Sequence, residues 1–378
     1  MASIARRAEG HWRARYRDNS GKEHSRHFSR KIDAQRWLDQ VTAAVQTGTY
    51  ADPKAGRISV GEWATAWLER QADLNDWKPS TIAGYESMLK VRILPVWASV
   101  PLNRVTYESA EQWVAGMVAS GLSASSTRQA YHLLGAMLDG AAKAKRLGRN
   151  PVRGVDLPPL RQVERRYLTH RQVADLAAAC GPDDGIVVLL LAYTGLRWGE
   201  LAAIRARRVA PGARRIDIAE AMTDVKGRAI FGTPKTHQRR WVPVPTFLRD
   251  RLSERLANCQ PDDPLFTSPL GAPLRGNNFR RRCFDRAAAD VGLAGLVPHE
   301  LRHTAASLAI ASGASVKAVQ SMLGHASAAM TLDRYGHLYE DELDAVADRM
   351  DEAATRILAD SVRTESGVVA MTHSETGR

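Results

Sequence analysis

The sequence predicts a mainly α-helical protein with small β elements, on three observations. Apolar residues recur at spacings of three and four along most of the chain, the mark of helices with one buried face. Strict alternation of apolar and polar residues is confined to two short stretches, near the N-terminus and within residues 214–244. The longest apolar run, Ile186–Tyr193, falls far short of the roughly 18–20 residues a membrane-spanning helix needs. The expected organisation is an N-terminal α+β module (1–57), a helical domain (58–151) and a linker (152–164). A mixed, mainly-α domain with a three-stranded sheet (165–355) and a polar C-terminal tail (356–378) complete it.

In chain order, Trp12–Arg17 alternates, placing Trp12, Ala14 and Tyr16 on one strand face and Arg13, Arg15 and Arg17 on the other. Asp18–Lys22 supplies a turn and His24–Phe28 a second strand. Ile32, Trp37, Leu38, Val41 and Val45 then fit a helix ending near Gly48. A β-ribbon with an arginine face can enter a DNA major groove. Tyr50–Arg57 reads as a connection. Val60–Ala72, Pro79–Val91, Thr106–Ser120 and Ser123–Leu147 follow with helical spacing, with Ser80 and Ser123 as candidate N-caps. Pro151, Pro158 and Pro159 mark the linker region. Ile216–Ile218, Arg228–Phe231 and Arg239–Val244 are expected to form the three-stranded sheet, with turns at Gly227 and at Pro234-Lys235. Past Glu340, Leu343, Val346, Met350 and Leu358 make one stripe of an acidic helix, and Val362–Arg378 is polar enough to fray.

The 378 residues carry 53 Lys+Arg against 41 Asp+Glu, a formal +12, with hydrophobic and charged content in the globular range. Disordered and collagen-like classes are thereby excluded. The odd cysteines Cys180, Cys259 and Cys283, with no C-x-x-C pair, exclude a disulfide framework and suit a reducing cytosol. The first residues have positive charge but no apolar core of a secretory signal. By segment, residues 1–57 hold net +6 and residues 164–340 net +8, while the last 38 hold −5. Positive charge spread in this way favours a polyanionic partner, with nucleic acid the first candidate.

Four segments hold polar residues that helix packing does not demand. Thr194-Gly195-Leu196-Arg197-Trp198-Gly199-Glu200-Leu201 follows the buried run, so a glycine turn aims an Arg and backbone N–H groups at one point. Thr233-Pro234-Lys235-Thr236 puts a Lys at a hairpin tip. His299, Arg302 and His303 lie at i, i+3 and i+4, on one helical face. Leu323-Gly324-His325 precedes Thr331-Leu332-Asp333-Arg334-Tyr335-Gly336-His337, so a His and a Tyr ten residues apart can reach one site.

The order TGLRWGEL, PK, HELRHT, LGH and TLDRYGH resembles the tyrosine recombinase family, in particular phage-type integrases of actinobacterial hosts. The resemblance covers nearly the whole chain. It implies an arm-type DNA-binding domain in 1–57, a core-binding domain in 58–151 and a catalytic domain in 165–355. It further implies that Tyr335 attacks the scissile phosphodiester to give a 3′-phosphotyrosine. Arg197 and Arg302 would hold the non-bridging oxygens, where a planar guanidinium that never deprotonates suits a developing charge. Lys235 would protonate the leaving 5′-oxygen, His299 and His325 would bond the phosphoryl group and move protons, and Glu200 would orient. Tyr339 shares the Tyr335 face but lacks the family's Gly-His context. His303 is expected to pack or cap, and His337 to be structural.

His299–His303 also satisfies H-E-x-x-H, the pattern of zinc proteases. Arg302 inside the motif and the lack of any Asp or Glu between Leu301 and Leu332 argue against a metal. The resemblance implies no cofactor, neither ATP nor metal, because the phosphotyrosine conserves the bond energy. Its implied partners are double-stranded DNA at core and arm sites and three further copies in a tetramer on DNA. An excisionase and a host DNA-bending protein are possible additional partners. The implied place is a bacterial cytoplasm, at the nucleoid, with no membrane. The acidic C-terminal helix docks on a neighbouring copy or packs on its own. A type IB-like DNA topoisomerase and a binding-only DNA regulator are the alternatives; a covalent protein–DNA adduct and strand exchange separate the three.

Overall fold

A computed structural model describes residues 2–7, 10–18, 21–47, 50, 52, 54–160, 165–234, 239–339, 346–348 and 350–355. The chain divides into two compact units, residues 1–162 and 163–378.

The first unit opens with three antiparallel strands, Ser3–Arg6, Trp12–Arg17 and Glu23–Phe28, with Trp12–Arg17 central. Ala14 lies opposite Ile4 and Arg26, and Tyr16 opposite His24. The expected alternation is present: Ala14 and Tyr16 are buried against Ala34 and Leu38 of the helix Lys31–Gln46. Arg13, Arg15 and Arg17 share the opposite face, each with a guanidinium nitrogen within 4.0 Å of the Glu23 carboxylate. Tyr16 donates to the Tyr50 hydroxyl at 2.6 Å, which ties the segment after the helix to the sheet.

A helical bundle with its own core follows: Val60–Leu74, Pro79–Met88, Tyr107–Ala119 and Ala124–Lys143. Trp63, Trp67, Trp97 and Trp113 fill it with Ile93, Leu134 and Met137. The Trp63 indole donates to the Met137 carbonyl at 2.8 Å, so its one polar atom is satisfied in the core. Ser59, Thr106 and Ser123 cap three of the helices. Ser80 does not cap: Lys78 is the N-cap residue and Pro79, its φ already helical, starts the helix one residue before Ser80. That helix does not stop near Val91 but passes through a π turn, Leu89–Ile93, into Leu94–Trp97. Pro95 has no N–H for the Val91 carbonyl, and the widened turn lies immediately before it. Val152 and Val155, in the stretch expected to link domains, are buried in this core, and Tyr131 donates to the Val152 carbonyl at 2.5 Å.

The second unit is built around Gly181–Thr194, whose residues Ile186–Ala192 are all buried; a helix apolar on every side can only be a central one. His170–Ala179, Thr246–Ala257 and Glu300–Ala311 pack on it, Asp285–Asp290 packs on His170–Ala179, and Trp198–Ala202, Val316–Leu323 and Ala328–Tyr335 complete the helical set that the site uses. The expected three-stranded sheet is instead two separate antiparallel ladders among the described residues. Arg215–Ile218 pairs with Arg240–Pro243, and Ala221–Val225 pairs with Arg228–Gly232. Ala221–Val225 escaped the pattern because its exposed Thr223 and Asp224 interrupt the apolar alternation. Its hairpin turns at Lys226 and Gly227, both with positive φ, as a tight two-residue turn requires. Residues 346–348 and 350–355 are helical; Leu343, Leu358 and Val362–Arg378 lie outside the described residues. No helix among the described residues is long and apolar enough to cross a membrane.

Candidate active site

The central helix ends at Gly195, whose φ of +63° is left-handed and whose Cβ, were there one, would sit 2.5 Å from a Leu323 methyl. Glycine is therefore required where the chain turns to deliver Arg197, the N-cap residue of Trp198–Ala202. Glu200, in the first turn of that helix and 1% exposed, accepts from the Arg197 backbone N–H at 3.0 Å and from Arg197 Nη1 at 2.8 Å. Arg240 grips the same carboxylate with two parallel bonds, Nη1 to Oε1 at 3.0 Å and Nη2 to Oε2 at 2.6 Å. Burial would raise the Glu200 carboxyl, yet the hydrogen bonds and charge of Arg240, with those of Arg197, hold it below the ordinary carboxylate range.

Three arginines converge on the end of Val316–Leu323. Arg240 Nε donates to the Met322 carbonyl at 3.2 Å, Arg302 Nη2 to Leu323 at 2.6 Å and Arg197 Nη2 to Gly324 at 3.3 Å. Three consecutive carbonyls thus each hold a different guanidinium, immediately before His325. Arg302 is 3% exposed and also donates through Nη1 to the Gly195 carbonyl. Burial and Arg197 push its pKa down to about 9, which leaves it charged at neutral pH.

His325 is buried, shares a 2.9 Å hydrogen bond with the Thr331 hydroxyl through Nδ1, and stacks parallel to the Tyr335 ring at 6.3 Å. Burial first, then Arg302 and Arg197, lowers its pKa to about 4, so it is a neutral imidazole at pH 7. Tyr335, fully buried at the end of Ala328–Tyr335, has its hydroxyl 2.8 Å from His303 Nδ1. Burial raises the phenol above its ordinary value, while Arg302, Arg334 and Arg165 pull it back. His303 is likewise lowered to about 4, by burial and then by His299 and Arg165, so it is neutral at pH 7, and the tautomer protonated on Nε2 accepts the phenol hydrogen bond through Nδ1. His299 is exposed, at the N-cap of Glu300–Ala311, with its ring 5.4 Å from His303. Desolvation and Arg302 lower it too.

Arg197, Glu200, Arg302, His325 and Tyr335 are therefore brought into one network, with His299 at its edge. Lys235 lies outside the described residues. Arg13, Arg15 and Arg17 belong to the other unit. Two residues escaped the sequence reading. His303, expected to pack or cap, meets the Tyr335 hydroxyl. Arg240 shares a strand face with the buried Val242, and that alternation was the available signal for a buried Arg in need of an acid. Tyr339 instead reaches the Ala314 carbonyl at 3.5 Å, and His337 lies 3.3 Å from the Tyr167 hydroxyl. Among the described residues no group of three or more His, Cys, Asp or Glu is placed to hold a metal ion.

Residues 166–342, which hold this whole network, match the phage integrase family. That segment is a tyrosine recombinase domain of that family. The integrase of Mycobacterium phage D29 is 27% identical over 345 residues, covering 87% of this recombinase and 90% of that integrase. The integrase of the transposon Tn1549, solved with a circular intermediate DNA, has a TM-score of 0.66 at 20% identity, over 78% of this recombinase and 99% of that chain. A lambda integrase tetramer solved on a Holliday junction gives 0.57 at 21% identity, over 86% and 95%. The likeness to the two solved structures is one of fold: mainly helical, with small sheets.

Proposed function

We propose that this recombinase integrates or excises a phage or mobile element by cutting and rejoining double-stranded DNA through Tyr335. One observation carries the reading: the only tyrosine hydroxyl hydrogen-bonded to a histidine of the arginine network, among the described residues, is that of Tyr335. The Tyr335 oxygen forms a bond to phosphorus as the bond to the 5′-oxygen breaks, leaving a 3′-phosphotyrosine and a free 5′-hydroxyl. The phenol loses its proton to a neighbouring base, for which neutral His303 is positioned. Lys235 gives the leaving oxygen its proton. Arg197 and Arg302 hold the non-bridging oxygens, where each donor is worth about 3 kcal/mol in the transition state. His325 and His299 donate to the same phosphoryl group, and Glu200 orients Arg197. Because the phosphotyrosine keeps the bond energy, the reverse attack by a 5′-hydroxyl needs neither ATP nor metal.

The proposed domain roles follow the charge. Residues 1–57 bind arm sites through Arg13, Arg15 and Arg17, residues 58–151 bind the core site, and 165–355 carry the chemistry. Four copies would assemble on two sites, an arrangement supported by the lambda integrase tetramer. An excisionase and a DNA-bending host protein are the expected accessories, and a bacterial cytoplasm the expected setting. The test is a nicked duplex that traps cleavage: wild type is expected to form a covalent protein–DNA adduct and Tyr335→Phe none. No adduct from wild type would sink the reading. Strand exchange between two duplexes, against relaxation of one, separates recombination from topoisomerase action.

A further inference from the structure

The chemistry above gives Arg240 no role, yet it is among the most tightly held charged side chains of the site. Its side chain is 10% exposed. Its three nitrogens make three hydrogen bonds, two to Glu200 and one to the Met322 carbonyl. A Cβ on Gly324 would come within 3.0 Å of its guanidinium, so the turn before His325 is shaped around it. The neighbouring Arg239 faces the other way and is taken up by Asp217, at 2.7 Å.

Glu200 is one carboxylate between two guanidiniums, Arg197 and Arg240. With Arg240 present, both oxygens are occupied by its fork, and the Arg197 guanidinium contributes only a shared bond to Oε1, beside the Arg197 backbone N–H on Oε2. Without Arg240, the buried carboxylate would claim Arg197, its other ion-pair partner among the described residues, with both oxygens. A paired, neutralised guanidinium is a poor ligand for a phosphate.

We propose that Arg240 is a positioning residue for strand cleavage: it takes up the Glu200 carboxylate and thereby leaves Arg197 available to the scissile phosphate. The inference rests on the reading of Arg197 as a phosphate ligand. A purely structural Arg240 would also be relieved by neutralising Glu200, because the unpaired buried charge is removed, but loss and recovery would then both appear in thermal melting. A positioning Arg240 predicts loss and recovery of the cleavage rate beyond what melting accounts for, because Gln at 200 has no charge with which to claim Arg197.

The experiment is single-turnover cleavage of the nicked duplex, with DNA binding and thermal melting measured in parallel. Arg240→Gln is expected to cleave about a hundredfold more slowly, as for loss of one transition-state donor, at unchanged DNA affinity. Glu200→Gln/Arg240→Gln is expected to recover about tenfold or more, the coupling of contacting residues. Arg240→Lys keeps the charge without the fork; it carries the same test, alone and with Glu200→Gln, if Arg240→Gln does not fold. Cleavage by the single variants at the wild-type rate, a double variant no faster than its parent, or a loss and recovery that melting accounts for, overturns the proposal. Absence of adduct in wild type would instead overturn the catalytic reading beneath it, so the two failures are distinguishable.

Discussion

Two histidines at the site, His303 and His325, are neutral at pH 7 because burial and the surrounding arginines lower both to about 4. The unfolded chain binds those protons near the ordinary 6.5. Between the two values the unfolded state holds more protons than the folded state, so stability rises with pH across that window and is complete above it. Acidification from pH 7 to about 4.5 should therefore cost roughly 2–3 kcal/mol per imidazole. Thermal melts against pH are expected to show this fall, and His303→Gln is expected to flatten its share of it. A flat profile in wild type would contradict the assignment of two buried neutral imidazoles.

At the scale of elements, the site depends on where helices stop. Gly195 ends the central helix in a left-handed conformation against Leu323, and the polar groups of the network hang from helix ends or short turns nearby, except Arg240, which opens the strand Arg240–Pro243. Gly195→Ala should destabilise the second unit by about 2 kcal/mol or more, combining left-handed strain with the displaced Leu323 methyl, read as a fall of several degrees in melting temperature. The helices themselves were legible because their signal is local: Trp63 and Trp67, or Val316 and Val319, repeat at helical spacing. The motifs around Arg197, Arg302, His325 and Tyr335 were legible because each lies within a few residues of a glycine turn or a helix start. What sequence could not deliver was pairing across distance. Arg240 meets Glu200 from 40 residues away and His303 meets Tyr335 from 32, and neither spacing leaves a mark on periodicity. The ladder Ala221–Val225 was missed for a related reason: its outward side chains are polar, so only its partner strand reveals it.

For the whole molecule, the net +12 divides between cations paired to internal acids and cations on more open faces. In the second unit several cations are committed: Arg208 and Arg239 to Asp217, Arg240 and Arg197 to Glu200. On the N-terminal sheet, Arg13, Arg15 and Arg17 surround a single Glu23 at 3.7–3.9 Å, long separations on an open surface that contribute little to stability. Replacing the three by Ala should leave melting nearly unchanged while weakening arm-site binding. The slope of log affinity against log salt should drop by roughly 0.9 for each phosphate that is no longer neutralised. An unchanged slope would remove that face from the DNA interface.

The three guanidiniums at the end of Val316–Leu323 have a consequence of their own. A helix C-terminus carries about half a negative charge on its unpaired carbonyls. Together with Glu200 it acts as a resident counter-anion, so the protein itself keeps Arg197, Arg240 and Arg302 side by side. A phosphodiester entering there would substitute for carbonyl oxygens already in place, and the like-charge repulsion of gathering the cations has been met at folding. Under the proposed function, the arginine cluster is thus assembled before a phosphodiester arrives, and little reorganisation of those three guanidiniums is left to accompany the chemical step.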